Sequence, residues 1–158
     1  MFVTHPIPPV WDENSRVLIL GSFPSVKSRE QLFFYGHPQN RFWRVLSHIF
    51  EDSCPVSIDE KKSFLLRHYL AVWDVVASCE IEGSADSTMK KVVVNDLSHI
   101  LAHSRIEHIY LNGKTAQKYY IRYTQPMINR EAVVLPSTSP ANASWSLERL
   151  VEAWRVIL

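Results

Sequence analysis

Four short apolar runs, Val17–Leu20, Val72–Val76, His108–Leu111 and Ala132–Leu135, are separated by stretches whose apolar residues recur at helical spacing. Phe42, Leu46 and Ile49 share one face, as do Leu97, Ile100 and Leu101, then Ala116, Tyr119, Tyr120 and Tyr123, and finally Leu147, Leu150, Val151 and Trp154. Ser57-Ile-Asp-Glu60 predicts a capping box, in which the Ser hydroxyl and Glu carboxylate satisfy free amides at the start of a helix running to about residue 69. The polar tract Ile-Glu-Gly-Ser-Ala-Asp-Ser-Thr-Met-Lys-Lys, residues 81–91, predicts an exposed loop whose one charge doublet is Lys90-Lys91.

Strand and helix therefore alternate. Parallel neighbours need crossover connections, usually helical, so the alternation predicts an α/β fold: a three-layer α/β/α sandwich around a central four-stranded, mainly parallel sheet, in a single domain over residues 1–158. Ligands of such sheets gather at the carboxyl ends of the strands. The segments leaving those ends are Gly21-Ser-Phe-Pro-Ser25, Asp74–Glu80, Asn112-Gly-Lys114 and Pro136–Asn142, which are the Gly- and Pro-marked polar segments of the chain. The stretches 36–43 and 135–143, each placed where a loop should leave a buried strand, are rich in small or amide groups and poor in carboxylates, which suits a pocket that holds a planar polar ligand and contacts phosphates.

Composition narrows this only slightly. A chain of 158 residues buries roughly 70% of its unfolded surface in one core. With 17 basic and 16 acidic side chains, any contact with nucleic acid must come from local charge. Cys54 and Cys79 form neither a CxxC nor a zinc pattern and are expected to be reduced core thiols. The N-terminus lacks a basic start followed by an apolar run, and no stretch approaches the roughly 18 apolar residues of a membrane span, so a cytosolic, reducing location is expected.

Several common chemistries lack their motif. His99 and His103 are one helical turn apart, but the Glu of a metalloprotease and a third ligand are missing, and a surface helix accounts for them. There is no P-loop, no GxGxxG and no GxSxG; a serine hydrolase built on Ser22 or Ser137 with His37 would have no nucleophile elbow. Asn40, just before an amphipathic run, has the position of a helix N-cap. Phe34 and Tyr35 read equally as core aromatics or as ligand-stacking rings. Asp74 at an apolar strand is expensive unless hydrogen-bonded, which favours a network or functional role. Ser137, Thr138 and Ser139 suit a turn before a helix near Ser144.

Taken in order, Leu20-Gly-Ser-Phe-Pro-Ser25, Tyr35-Gly-His-Pro-Gln-Asn-Arg-Phe-Trp43, Val72-Trp-Asp-Val-Val-Ala-Ser-Cys-Glu80, Tyr110-Leu-Asn-Gly-Lys-Thr-Ala116 and Pro136-Ser-Thr-Ser-Pro-Ala-Asn-Ala143 form a series of five motifs. Through them the chain resembles, over nearly its full length, the uracil-DNA glycosylase superfamily, and most closely its family 6, the hypoxanthine-DNA glycosylases. The Gly-His-Pro-x-Asn-Arg-Phe-Trp string carries most of the resemblance. Two positions depart from better-known relatives: Phe23 stands where the first motif usually has a water-handling Asp or Asn, and Ser137 where the last motif usually begins with His. The four cysteines of the iron–sulfur branch are missing.

The resemblance implies a monofunctional glycosylase that flips a deaminated base out of double- or single-stranded DNA and excises it, most simply hypoxanthine, with uracil as the close alternative. It implies no cofactor, no metal, no membrane partner and a monomer. It assigns catalysis to Asn40 and Asn112, base contacts to Tyr35, Phe23, Ser22 and Asp74, and DNA contacts to Ser137, Ser139, Pro140, Ala141 and Asn142, with Ala141 at the wedge position. Lys114 and Arg41 are candidate phosphate contacts, each also compatible with a solvated face. Two other readings stay open: a lesion-binding module that has lost catalysis, and a hydrolase of free nucleosides, which would depend little on salt.

Overall fold

Val17-Leu-Ile-Leu-Gly21 is buried at every position, as a strand covered on both faces must be. The computed structural model describes residues 1–158, and this strand, β2, follows a short β1 at Phe2–Thr4. β2 pairs in parallel with β3 (Leu70–Asp74) on one side and with β6 (His108–Asn112) on the other, and β6 carries β7 (Val133–Leu135) at the edge, giving the order β3-β2-β6-β7. Successive side chains of a strand point to opposite faces. Val17 and Ile19 accordingly enter one core cluster, with Phe42, Leu46, Phe64 and Trp154, while Leu18 and Leu20 enter a second, with Ile100, Ala116 and Tyr120.

The first cluster is covered by α2 (Phe42–Phe50), α3 (Ile58–Arg67) and α7 (Leu147–Trp154), the second by α4 (Ser98–Ala102) and α5 (Lys114–Tyr119). The three expected layers and the four-stranded parallel sheet are present. The capping box forms, with Glu60 N–H donating to Ser57 Oγ and Ser57 N–H to Glu60 Oε1, each at 3.1 Å. A six-residue α1 (Val26–Gln31), capped by Ser25, was not expected. After α5 the chain widens into a π-helical turn, Tyr120–Thr124, before the short α6 (Gln125–Ile128).

Three expectations are corrected. Val72–Val76 is not one strand: the chain bends at Val75, leaves the parallel sheet, and continues as β4 (Val76–Glu80), which pairs antiparallel with β1 and with β5 (Lys90–Val94) in a second, three-stranded sheet. The tract 81–91 is the connection from β4 into β5, and it is stitched down. Val26 N–H donates to Ser84 Oγ at 2.9 Å, the Arg29 guanidinium to the Gly83 carbonyl at 2.7 Å, and Ser22 Oγ–H to Asp86 Oδ2 at 3.0 Å. Both cysteines are free, but only Cys79 is a core thiol; Cys54 is exposed. No helix is long and apolar enough to cross a membrane.

Because β3, β2, β6 and β7 run the same way, the loops that leave their carboxyl ends meet at one edge of the sheet. The chain runs from β2 to one neighbour, β3, and only later returns to the other, β6, so β2 and β6 flank the topological switch point where such sheets bind ligands.

Candidate active site

Gly21 ends β2 beneath a carboxylate. A Cβ placed on it would lie 2.4 Å from Asp74 Oδ1 and 3.0 Å from the Tyr35 hydroxyl, so the absence of a side chain lets both groups close over the strand end. Asp74 cannot move aside. Its Oδ2 lies 2.7 Å from His5 Nε2, and the two side chains are only 5% and 3% exposed. Ile7 N–H donates to His5 Nδ1 at 3.1 Å; a backbone amide can only donate, so Nδ1 is the acceptor and Nε2 carries the proton given to Asp74. His5 is a residue that the sequence reading missed.

A second network joins three of the loops. Thr138, fully buried, donates its backbone N–H to Asn112 Oδ1 at 3.1 Å, and this sets the amide so that Asn112 Nδ2 donates to Thr138 Oγ1 at 3.0 Å. With that lone pair engaged, the Thr138 hydroxyl donates onward to Asn40 Oδ1 at 2.9 Å. Phe42 N–H donates to the same oxygen, also at 2.9 Å. Asn40 is therefore oriented twice over by donors to its oxygen, and its Nδ2 is turned away from both, with no protein acceptor bonded to it. The N-cap of α2 is Arg41, but Asn40 does the neighbouring job of binding the first helical amide. The cap-like role and the functional role coexist in one side chain.

Tyr35, with φ of +52°, stacks one face of its ring on Phe42, the centroids 3.9 Å apart. Its hydroxyl is buried without a hydrogen bond. Burial first, and then the Asp74 charge, hold the phenol far above its ordinary pKa, only partly offset by the Asn112 amide. Phe23 is buried, edge-on to His5, and covered by the Arg29 guanidinium.

The last motif forms a self-braced loop. Ser139 N–H donates to Ser137 Oγ and Ala141 N–H to Ser139 Oγ, each at 3.1 Å, while Asn142 Nδ2 donates to the Ser137 carbonyl at 3.0 Å. Arg41, expected at a phosphate, is instead a clamp on this loop. Its guanidinium donates to the carbonyls of Ser139 and Asn142, each at 3.0 Å, and of Trp145. Lys114 stands exposed at the start of α5, without an ion pair, as a phosphate contact requires.

These loops enclose a cavity of about 330 Å³, at the small end of ligand pockets. Of the candidates, Ser22, Phe23, Tyr35, Asn40, Asp74, Asn112, Ser137, Ser139, Pro140 and Ala141 line it, and only Arg41, Lys114 and Asn142 stand outside its wall. The lining residue of most consequence among those missed is an acid. Asp86, from the tract expected to be exposed, brings a second carboxylate to the cavity beside Asp74. Burial is the main influence raising the Asp86 pKa, with the Asp74 charge adding to it, against the Ser22 and Thr115 hydroxyls that lower it. Nothing local in a Gly-Ser-Ala-Asp-Ser string distinguishes a pocket wall from a solvated loop.

The model of the Uracil DNA glycosylase superfamily matches residues 8–158. The chain belongs to this superfamily. It is 36% identical over 155 residues to a protein of Methanosarcina acetivorans named hypoxanthine DNA glycosylase, the alignment spanning 95% of this chain and 94% of that one. A protein of the same name from Methanosarcina barkeri is 33% identical over 152 residues, spanning 93% and 92%. The solution NMR structure of a uracil DNA glycosylase candidate from Methanosarcina acetivorans superposes with a TM-score of 0.81 at 31% identity, over 99% of each chain.

Within this superfamily member, the row Asn112–Thr138–Asn40 makes Thr138 a relay of orientation. Thr138→Val keeps the shape but removes the hydroxyl, leaving the buried Asn112 amide short of an acceptor. We expect a loss of about 1–3 kcal/mol, read by thermal melting, and a fall of roughly tenfold in base excision, with Thr138→Ser restoring most of both.

Proposed function

We infer that this chain is a monofunctional DNA glycosylase that draws a deaminated base, hypoxanthine foremost, out of DNA into the cavity and hydrolyses its N-glycosidic bond. The observation that carries this reading is the oriented row ending at Asn40, which leaves one preset amide donor in a cavity sized for a base. The names of the Methanosarcina relatives support hypoxanthine as the base.

The chemistry follows from charge. Breaking the bond leaves positive charge on the sugar and negative charge on the departing base, and water then joins the anomeric carbon. The base anion needs a donor that is already aimed, because a fixed dipole costs no reorganisation in the transition state. Asn40 Nδ2 supplies it. The free face of the Tyr35 ring offers a stacking surface, and the DNA phosphates favour the sugar cation. Lys114 and the Ser137–Ala141 loop meet the backbone around the extruded nucleotide.

The test uses duplexes carrying deoxyinosine, deoxyuridine or deoxyxanthosine, with chelator present, and scores alkali-sensitive abasic sites. Deoxyinosine opposite thymine is expected to be cut best. Deoxyinosine opposite cytosine, the firmer pair, is expected to be cut more slowly, and this difference is expected to vanish on single strands, because extrusion must first break the pair. Ala141, exposed at the cavity rim, offers little volume to wedge a pair open. Hydrolysis of free inosine at a rate comparable with that on DNA, and insensitive to salt, would overturn the reading.

A further inference from the structure

The cavity holds two carboxylates in unlike states. Asp74 is sealed: one oxygen accepts a hydrogen bond from His5 Nε2 at 2.7 Å, and the other lies over the Cα of Gly21 near the Tyr35 hydroxyl. Asp86 sits on the 3₁₀ turn Asp86–Thr88, is partly exposed, and lines the cavity; its Oδ2 accepts from the Ser22 hydroxyl at 3.0 Å, and the Thr115 hydroxyl is the other neutral donor near the carboxylate. The loop that carries it is fixed at Ser84 and Gly83 as well, so the carboxylate is placed and not merely tethered.

Deamination changes two adjacent positions of a base. The exocyclic amine becomes a carbonyl, and the neighbouring ring nitrogen, a lone pair in adenine or cytosine, gains a proton. An acceptor with no proton to give bonds that new N–H and repels the lone pair of the parent base. Resting on the glycosylase reading above, we propose that Asp86 is the specificity-determining acceptor that reads the ring N–H created by deamination, N1–H in hypoxanthine and N3–H in uracil. Asp74 serves as the fixed carboxylate of the pocket. Guanine and thymine carry the same N–H, so their exclusion falls to pair opening and to the rest of the pocket wall.

The proposal is tested by single-turnover excision from otherwise identical duplexes holding deoxyinosine or deoxynebularine, whose purine has a lone pair at N1 and no oxygen at C6. Wild-type protein is expected to favour deoxyinosine. Asp86→Asn can present a donor or an acceptor, so its deoxyinosine rate should fall roughly 10–100-fold while deoxynebularine holds or rises, collapsing the preference. Ser22→Ala, which frees the Asp86 carboxylate without removing it, should move the preference the same way by a smaller factor, and it carries the test should Asp86→Asn fold poorly. A parallel fall on both substrates would make Asp86 a structural or leaving-group residue and overturn the proposal, as would an unchanged deoxyinosine rate. A wild-type protein inactive on every damaged duplex would instead overturn the glycosylase reading itself.

Discussion

Replacing Asn40 by alanine should lower single-turnover excision of deoxyinosine by about 100–1,000-fold, the usual cost of one preorganised donor at a developing anion. The same change removes the acceptor for the Phe42 amide and the Thr138 hydroxyl, so a stability loss of about 1–3 kcal/mol should accompany it, a few degrees in Tm for a chain of this size. Asn40→Asp separates the two. A carboxylate still accepts from Phe42 N–H and Thr138 Oγ–H, so the melt should stay near wild type, but the donor is gone and excision should stay low. Near-normal excision by Asn40→Asp would show that the oxygen is the working atom, and near-normal excision by a folded Asn40→Ala would leave Asn40 with its helix-start role alone.

Gly21→Ala should be the most damaging change that touches no hydrogen-bonding side chain. Its Cβ would sit 2.4 Å from Asp74 Oδ1 and 3.0 Å from the Tyr35 hydroxyl, and the Asp74 carboxylate is held by His5 with almost no room to retreat. The strand end, the carboxylate or the ring must shift. Overpacking of this kind costs about 1–3 kcal/mol, and a displacement near 1 Å in an active site costs about 100-fold in rate. Thermal melting and excision measured well below Tm would check both. Wild-type excision by Gly21→Ala would show that this strand end does not position the reacting groups.

The sequence by itself determined the frame. Val17–Gly21 is apolar at every position but its last, a glycine, which suits a strand covered on both faces, and the helix faces ending in Ile49 and Trp154 are visible because burial is repeated every three or four residues. Parallel strands put their carboxyl ends together, so the polar loops after β2, β3, β6 and β7 were bound to meet, and ten of the thirteen candidate residues do line one cavity. The motif order made the superfamily legible for a related reason: four of the five motifs are a strand end and the loop that leaves it, while Tyr35–Trp43, expected after a strand, joins α1 to α2.

What tertiary structure decided lies where local pattern carries no direction. The edge sheet is made of short strands with few buried positions, and Lys90–Val94 became β5 only because β4 was there to pair with it. Arg41 was legible as a cation but not as a clamp, since its three carbonyl partners lie about a hundred residues away. His5 and Asp86 were invisible as site residues for one reason. A lone polar side chain, in the proline-rich start of the chain or in the polar tract 81–91, has the same local signature whether it meets water or a pocket, and only the contacts formed on folding, Asp74 against His5 and Ser22 against Asp86, turn it toward the site.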